Sequence, residues 1–164
     1  MKTLLLLRHA KSSWSDGSLP DHDRPLNRRG RETAPQIGRL IASLGLTPDR
    51  ILSSTAVRAR DTAELVARSA GYEGEIEHRP DLYHASPHDC LAALRGLPAE
   101  IDSAMIVAHN PGLEELVCSL AGAYERFPTA ALAQVEWNLA AWSDLRDWSQ
   151  ARLVNVWRPK EMEE

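Results

Sequence analysis

Apolar residues along this chain fall into short unbroken runs, separated by longer segments with helical spacing. The first run, Thr3-Leu4-Leu5-Leu6-Leu7, has no polar position inside its leucines and predicts a strand buried on both faces. Arg50–Ser53 predicts a second strand, Glu75–His78 a brief third and Ala104–Ala108 a strongly apolar fourth. Between them, Asn27 can N-cap a helix reaching about Leu44, with Ile37, Leu40, Ile41 and Leu44 at helical spacing and Gly45 as its stop. Pro35 inside that segment predicts either a kink or a restart. Val57–Ser69 reads as a helix ended by Gly71, Pro87–Leu97 as a helix with Leu91, Leu94 and Leu97 on one stripe, and Gly112–Ala121 as the helix after the fourth strand. Ala133–Ala141 and Ala151–Trp157 read as a closing strand pair joined through the polar Trp142–Gln150 segment. Strands alternating with helices up to residue 121 predict an α/β fold, a three-layer α/β/α sandwich with a mostly parallel sheet. The last two strands lack a helix between them, which predicts an antiparallel edge.

Length and composition narrow the function classes. At 164 residues and 18.2 kDa the chain is expected to form one domain, residues 1–164. A net charge of −4 and a pI near 5.9 argue against a broad nucleic-acid surface, although a local positive pocket stays open to an acidic protein. Cys90 and Cys118 lack CxxC spacing and a zinc-like cluster, so two small buried thiols are expected and no metal. No apolar run approaches the roughly 18 residues of a membrane span, so no membrane partner and a cytoplasmic location are expected.

Candidate chemistry lies at the strand ends. The first strand runs straight into Arg8-His9, and the fourth ends in His109-Asn110-Pro111-Gly112, where Pro and Gly turn the chain into a helix. In open α/β sheets the C-terminal rim is where ligands bind, and helix N-termini there favour anions. Ser54 follows the second strand and turns the chain toward Arg58, near the start of the next helix. The polar Ser12–Arg24 loop contributes Arg24, stiffened by Pro25, and its length suits a functional loop. Two imidazoles and three guanidinium groups point to phosphate chemistry. Taken singly, each of these residues is as well explained by a surface ion pair or an ordinary hydrogen-bonded histidine.

The combination Leu7-Arg8-His9-Ala10, Arg24-Pro25-Leu26-Asn27 with Gly30 and Ala34, Ser54 to Arg58-Ala59 with Thr62-Ala63, and Val107-Ala108-His109-Asn110-Pro111-Gly112 resembles the histidine phosphatase superfamily. Within that phosphoglycerate mutase-like fold, the short chain and the absence of large insertions resemble the SixA-like protein-phosphohistidine phosphatases. Ala10 departs from the Gly that many members carry after Arg-His, a methyl expected to be tolerated. The resemblance implies His9 as the nucleophile, with Arg8, Arg24, Arg58 and His109 binding the phosphoryl group and no metal or other cofactor. It implies a phosphohistidine-bearing protein as substrate. A small phosphate ester is the alternative, and an idle phosphate- or phosphoprotein-binding module the alternative of another class.

Mutase-type relatives carry a catalytic glutamate after the third strand, and Arg79 to Ser86 offers no equivalent. Asp81, Asp21 and Asp23 are the candidates for a general acid. A missing acid favours phosphohistidine, whose phosphorus–nitrogen bond needs less help to break. His84 and His88, at i,i+4 but separated by Pro87, read as a surface loop. Trp14 is placed either against substrate or as a pin for its loop. Trp137, Trp142, Trp148 and Trp157 are expected to pack the edge sheet. Glu114 and Glu115 are expected to serve the first turn of the last helix.

Overall fold

In the computed structural model, which describes residues 1–162, six strands form one sheet in the order β3-β2-β4-β1-β5-β6. The strands are β1 (Lys2–Arg8), β2 (Arg50–Ser54), β3 (Ile76–Arg79), β4 (Ser103–Ala108), β5 (Leu132–Trp137) and β6 (Arg152–Trp157). The helices are α1 (Arg28–Ser43), α2 (Val57–Ala70), α3 (Pro87–Arg95), α4 (Gly112–Ala121) and a single turn, α5 (Pro159–Met162). Residues 163 and 164 of the expected domain lie outside the described residues.

The period of two along β1 divides its leucines between two cores. Leu5 and Leu7 pack with Met105, Val107 and the inner faces of α1 and α2. Leu4 and Leu6 pack with Ala104, Ile106 and the inner faces of α3 and α4. Right-handed crossovers explain the layering. The chain steps from β1 to β2 to β3 toward one edge, which keeps α1 and α2 on one face. It then returns to insert β4 beside β1, which puts α3 on the other. The strands β1 to β4 are all parallel, so their C-terminal ends share one rim. β5 runs antiparallel to β1, and β6 antiparallel to β5, forming the antiparallel edge.

Four expectations change in detail. α1 passes through Pro35 as one helix with Asn27 as its N-cap, which excludes the restart. The carbonyl deprived of its donor belongs to Arg31, an exposed residue. β5 stops at Trp137 and does not reach Ala141, because Trp137 pairs with Lys2, the first residue of β1, and no partner backbone extends beyond it. Cys90 is buried, whereas Cys118 is half-buried and its thiol lies against the backbone of Glu125. Trp137, Trp142 and Trp148 pack together at the edge, while Trp157 packs against the opposite core.

Candidate active site

Arg8, His9, Arg24, Arg58 and His109 line one open pocket with Lys11, Ser12, Trp14, Asn110 and Thr129, at the shared C-terminal rim of β2, β4 and β1. His9 follows β1 and is 6 % exposed. Its backbone is still held on both sides, since its N–H donates to Ala108 O (3.1 Å) and its carbonyl accepts from Ala130 N (3.0 Å). The side chain is fixed as well. Nδ1 lies 2.8 Å from its neighbour's carbonyl, Ala10 O, an acceptor that requires the proton on Nδ1 and leaves the Nε2 lone pair free. Ala10 itself is buried in the core, its methyl accommodated, and its N–H donates to Thr62 Oγ1 at 2.9 Å. Thr62 in turn donates to Arg58 O at 2.7 Å, coupling the His9 turn to α2.

His109 follows β4, with its ring centroid 5.1 Å from that of His9. Its Nε2 is 2.7 Å from Ser54 Oγ, and Ser54 Oγ also accepts from Ala56 N. The serine hydroxyl has its own proton to place, and His109 Nε2 is the acceptor within reach. That arrangement leaves the proton of His109 on Nδ1, a buried atom with no partner among the described residues. Burial above all drives both imidazoles toward neutrality. His9 is lowered to about 4, with Arg8, Arg58 and Arg24 adding to the shift and the Ala10 carbonyl opposing it. His109 is lowered to about 3, with His9 and Arg58 as the next contributors.

The arginines come from three segments. Arg58 stands in the first turn of α2, where Nη1 donates to Asp21 O (2.7 Å) and Nη2 to Asp21 Oδ2 (2.9 Å). Arg24 donates to Ser12 Oγ (2.8 Å) and to Asp21 Oδ1 (3.2 Å), and its guanidinium lies 3.4 Å from the Trp14 ring centroid. Arg8 donates through Nη1 to Phe127 O (3.2 Å). The Nε groups of Arg8 and Arg58 are buried donors without partners among the described residues. Asp21 bonds Arg24 and Arg58, while Arg8 and Lys11 line the pocket without a carboxylate hydrogen bond among the described residues. The pocket therefore keeps a net positive charge, which suits a phosphoryl group carrying close to two negative charges at neutral pH.

The aspartates separate into three situations. Asp81 pairs with both Nε and Nη2 of Arg79 (3.0 and 2.8 Å), which holds its carboxyl below the usual range and away from proton donation. Asp23 is exposed, with His22 as its neighbour at 3.5 Å. Asp21 alone reaches the pocket arginines. The Tyr83 hydroxyl first, then Arg58 and Arg24, hold its carboxyl far below the carboxylate range, so it serves as an ionised brace for the arginines and not as an acid. Trp14 is 76 % exposed and stacked on Arg24, so it stands at the pocket mouth. His22 leans over the same region, bonded to Thr55 Oγ1 (2.8 Å) and edge-on to Tyr83. Sequence pattern had placed Ser54 only as a turn residue and Thr62 only as part of a motif. It gave no place to Tyr83, because a contact between a loop near residue 21 and one near residue 83 has no local signature.

Comparison with known proteins agrees with this geometry. Residues 4–86 match the histidine phosphatase superfamily, branch 1. An uncharacterised chloroplast protein of Arabidopsis thaliana is 38 % identical over 150 residues, covering 81 % of this chain and 66 % of its own length. An uncharacterised protein of Mycobacterium tuberculosis is 33 % identical over 139 residues, covering 77 % of this chain and 84 % of its own. A solved structure from Agrobacterium tumefaciens, provisionally assigned as a phosphohistidine phosphatase SixA, superposes with a TM-score of 0.81 at 30 % identity, over 96 % of this chain and 98 % of that one.

Proposed function

This chain belongs to the histidine phosphatase superfamily, and from that premise we propose that it is a phosphatase working through a covalent intermediate on His9, with protein-bound phosphohistidine as substrate. The observation that carries the reading is the state of His9: neutral, oriented by Ala10 O, with Nε2 facing a pocket of three guanidinium groups. In the first step Nε2 bonds to phosphorus as the bond from phosphorus to the substrate's ring nitrogen breaks, and that imidazole leaves with the electron pair. A substrate ring protonated on its other nitrogen departs neutral. In the second step water attacks phosphorus, the bond to His9 breaks, and inorganic phosphate is released with the water's proton. Arg8, Arg24 and Arg58 spread the charge of the transferring group, and His109 donates through Nδ1 to one of its oxygens. The work is positioning and electrostatic stabilisation, as expected for phosphoryl transfer.

The choice of phosphohistidine over an alkyl ester rests on the leaving group. An alkoxide needs a proton as it departs; Asp21 and Asp81 are held ionised by their partners, and Asp23 lies exposed beside His22, outside the pocket lining. A phosphoimidazole already protonated on its other nitrogen leaves as a neutral ring and needs no acid from the protein. The Agrobacterium tumefaciens neighbour, whose provisional assignment names phosphohistidine, supports the same substrate. The reading treats the chain as a single phosphatase domain acting in the cytoplasm. Two free cysteines suit a reducing compartment, and among the described residues no helix is long and apolar enough to cross a membrane.

Brief exposure to a phosphohistidine-bearing carrier protein labelled on its phosphoryl group, followed by alkaline quench, tests this. The expected product is an acid-labile, base-stable phosphoenzyme mapped to His9. His9→Ala should lose it, together with turnover, by a factor of about a thousand or more. Sugar and nucleotide phosphates should be hydrolysed far more slowly. Label on another residue, or esters turned over as fast as the phosphoprotein, would overturn the reading.

A further inference from the structure

A second cleft adjoins the catalytic pocket and shares Lys11 and Thr129 with it. Its lining gathers cations from four separate segments: Lys11 after β1, Arg29 on α1, Arg126 before β5, and Arg158 and Lys160 around the start of α5. In a chain with a net charge of −4, such a concentration beside the phosphate pocket is a local reversal of sign. Arg158 has a structural task, since it donates to Arg126 O (2.9 Å) and to Glu125 Oε2 (2.6 Å). Lys11, Arg126 and Lys160 are exposed and make no ion pair among the described residues.

The form of the cleft distinguishes its ligand. The catalytic pocket holds Arg24 and Arg58 buried and Arg8 half-buried, with guanidinium forks suited to one compact dianion. None of the polar side chains lining the second cleft is buried, and its cations stand on flexible stems beside the rings of Pro128 and Pro159. Exposed rim charges of this kind steer and register a partner carrying several dispersed negative charges, and they act through long-range attraction that salt screens. Continuity through Lys11 and Thr129 means that such a partner can lie in the cleft while its phosphoryl group enters the pocket.

We propose that this basic cleft docks acidic side chains that flank the phosphorylated residue of a protein substrate. The proposal rests on the protein-phosphatase reading above and adds the chemistry of the partner's surface. Fluorescence anisotropy can test it with two peptides built on a non-hydrolysable phosphonate analogue of phosphohistidine, one flanked by glutamates and one by serines. At low salt the acidic peptide should bind about tenfold more tightly than the neutral one. The double variant Arg126→Ser/Lys160→Ser should bring the two within about twofold, and so should about half-molar salt. Hydrolysis of a chromogenic phosphate ester by the double variant should match the wild type, which reports that the fold and the catalytic pocket are intact.

Equal affinities in the wild-type protein, or a preference that survives the double variant, would overturn the docking site. Because the analogue cannot be turned over, the binding result stands apart from phosphatase chemistry. Failure to release phosphate from a phosphohistidine protein would count against the proposed activity and leave the anisotropy result to decide the cleft.

Discussion

His9 and His109 remain neutral in a pocket crowded with positive charge, and that state has a cost in acid. A free imidazole in the unfolded chain titrates near 6.5, while burial holds His9 at about 4 and His109 at about 3. Below about pH 6.5 the unfolded chain therefore binds protons that the folded chain refuses. The stability these groups contribute is present above that pH and is lost as pH falls toward 4. Two outcomes follow at neutral and mildly acid pH. The imidazole resonances of His9 and His109 should show no titration between pH 5.5 and 7.5 by nitrogen-15 NMR. The urea midpoint should fall steadily from pH 7 to 4.5. Titration of either ring near 6.5 would contradict the burial that isolates them. The identities of both histidines were legible from strand ends, but their protonation was not, because it comes chiefly from burial beneath segments distant in sequence.

The elements around the site are tuned to let backbones approach. Gly30, in the first turn of α1, sits against the loop that leaves His9, and a Cβ there would meet Lys11 O at 2.2 Å. Alanine in a helix gains about 1 kcal/mol over glycine, yet forcing a methyl into filled space costs about 1–3 kcal/mol. Here the obstacle is backbone, which cannot swing aside, so the clash wins. Gly30→Ala should lower stability by roughly 1–2 kcal/mol and reduce turnover, because Lys11 moves with the His9 turn. Gly17→Ala, with open space around it, is the control expected to change neither. Denaturant titration and ester hydrolysis read both effects. At this scale the sequence supplied the strands, which are apolar runs, and the helices, which have capped or glycine-stopped ends. It left Pro35 open between a kink and a restart and ran β5 past its end, since packing of α1 on the sheet and the length of β1 settle those points from outside the local segment.

Across the whole molecule the sheet has a functional rim and a structural base. At the base, Lys2 is 2 % exposed and its ammonium donates to Ala99 O (2.6 Å) and Ile101 O (2.8 Å), with Asp102 Oδ1 at 3.1 Å. Lys2→Met keeps the stem but strands the Ala99 carbonyl, which should cost about 1–3 kcal/mol, while Ile101 O keeps its bond from Trp142 Nε1. It lies at the opposite end of β1 from His9, so the folded variant should keep the wild-type rate on a chromogenic ester. A drop in melting temperature without a drop in specific activity checks this separation, and coupled losses would show that base and rim are not independent.

Strand and helix order, the two-sided core and the residue types able to handle phosphate were determined by local pattern, because burial periodicity and turn chemistry are properties of neighbouring residues. Tertiary structure alone decided which carboxyl stays ionised, which nitrogen of each imidazole faces the pocket, and how Ser54, Thr62 and Tyr83 brace it. Those outcomes depend on distances between segments some fifty residues apart. No local pattern encodes them, since they arise only when parallel strands bring separate loops to one rim.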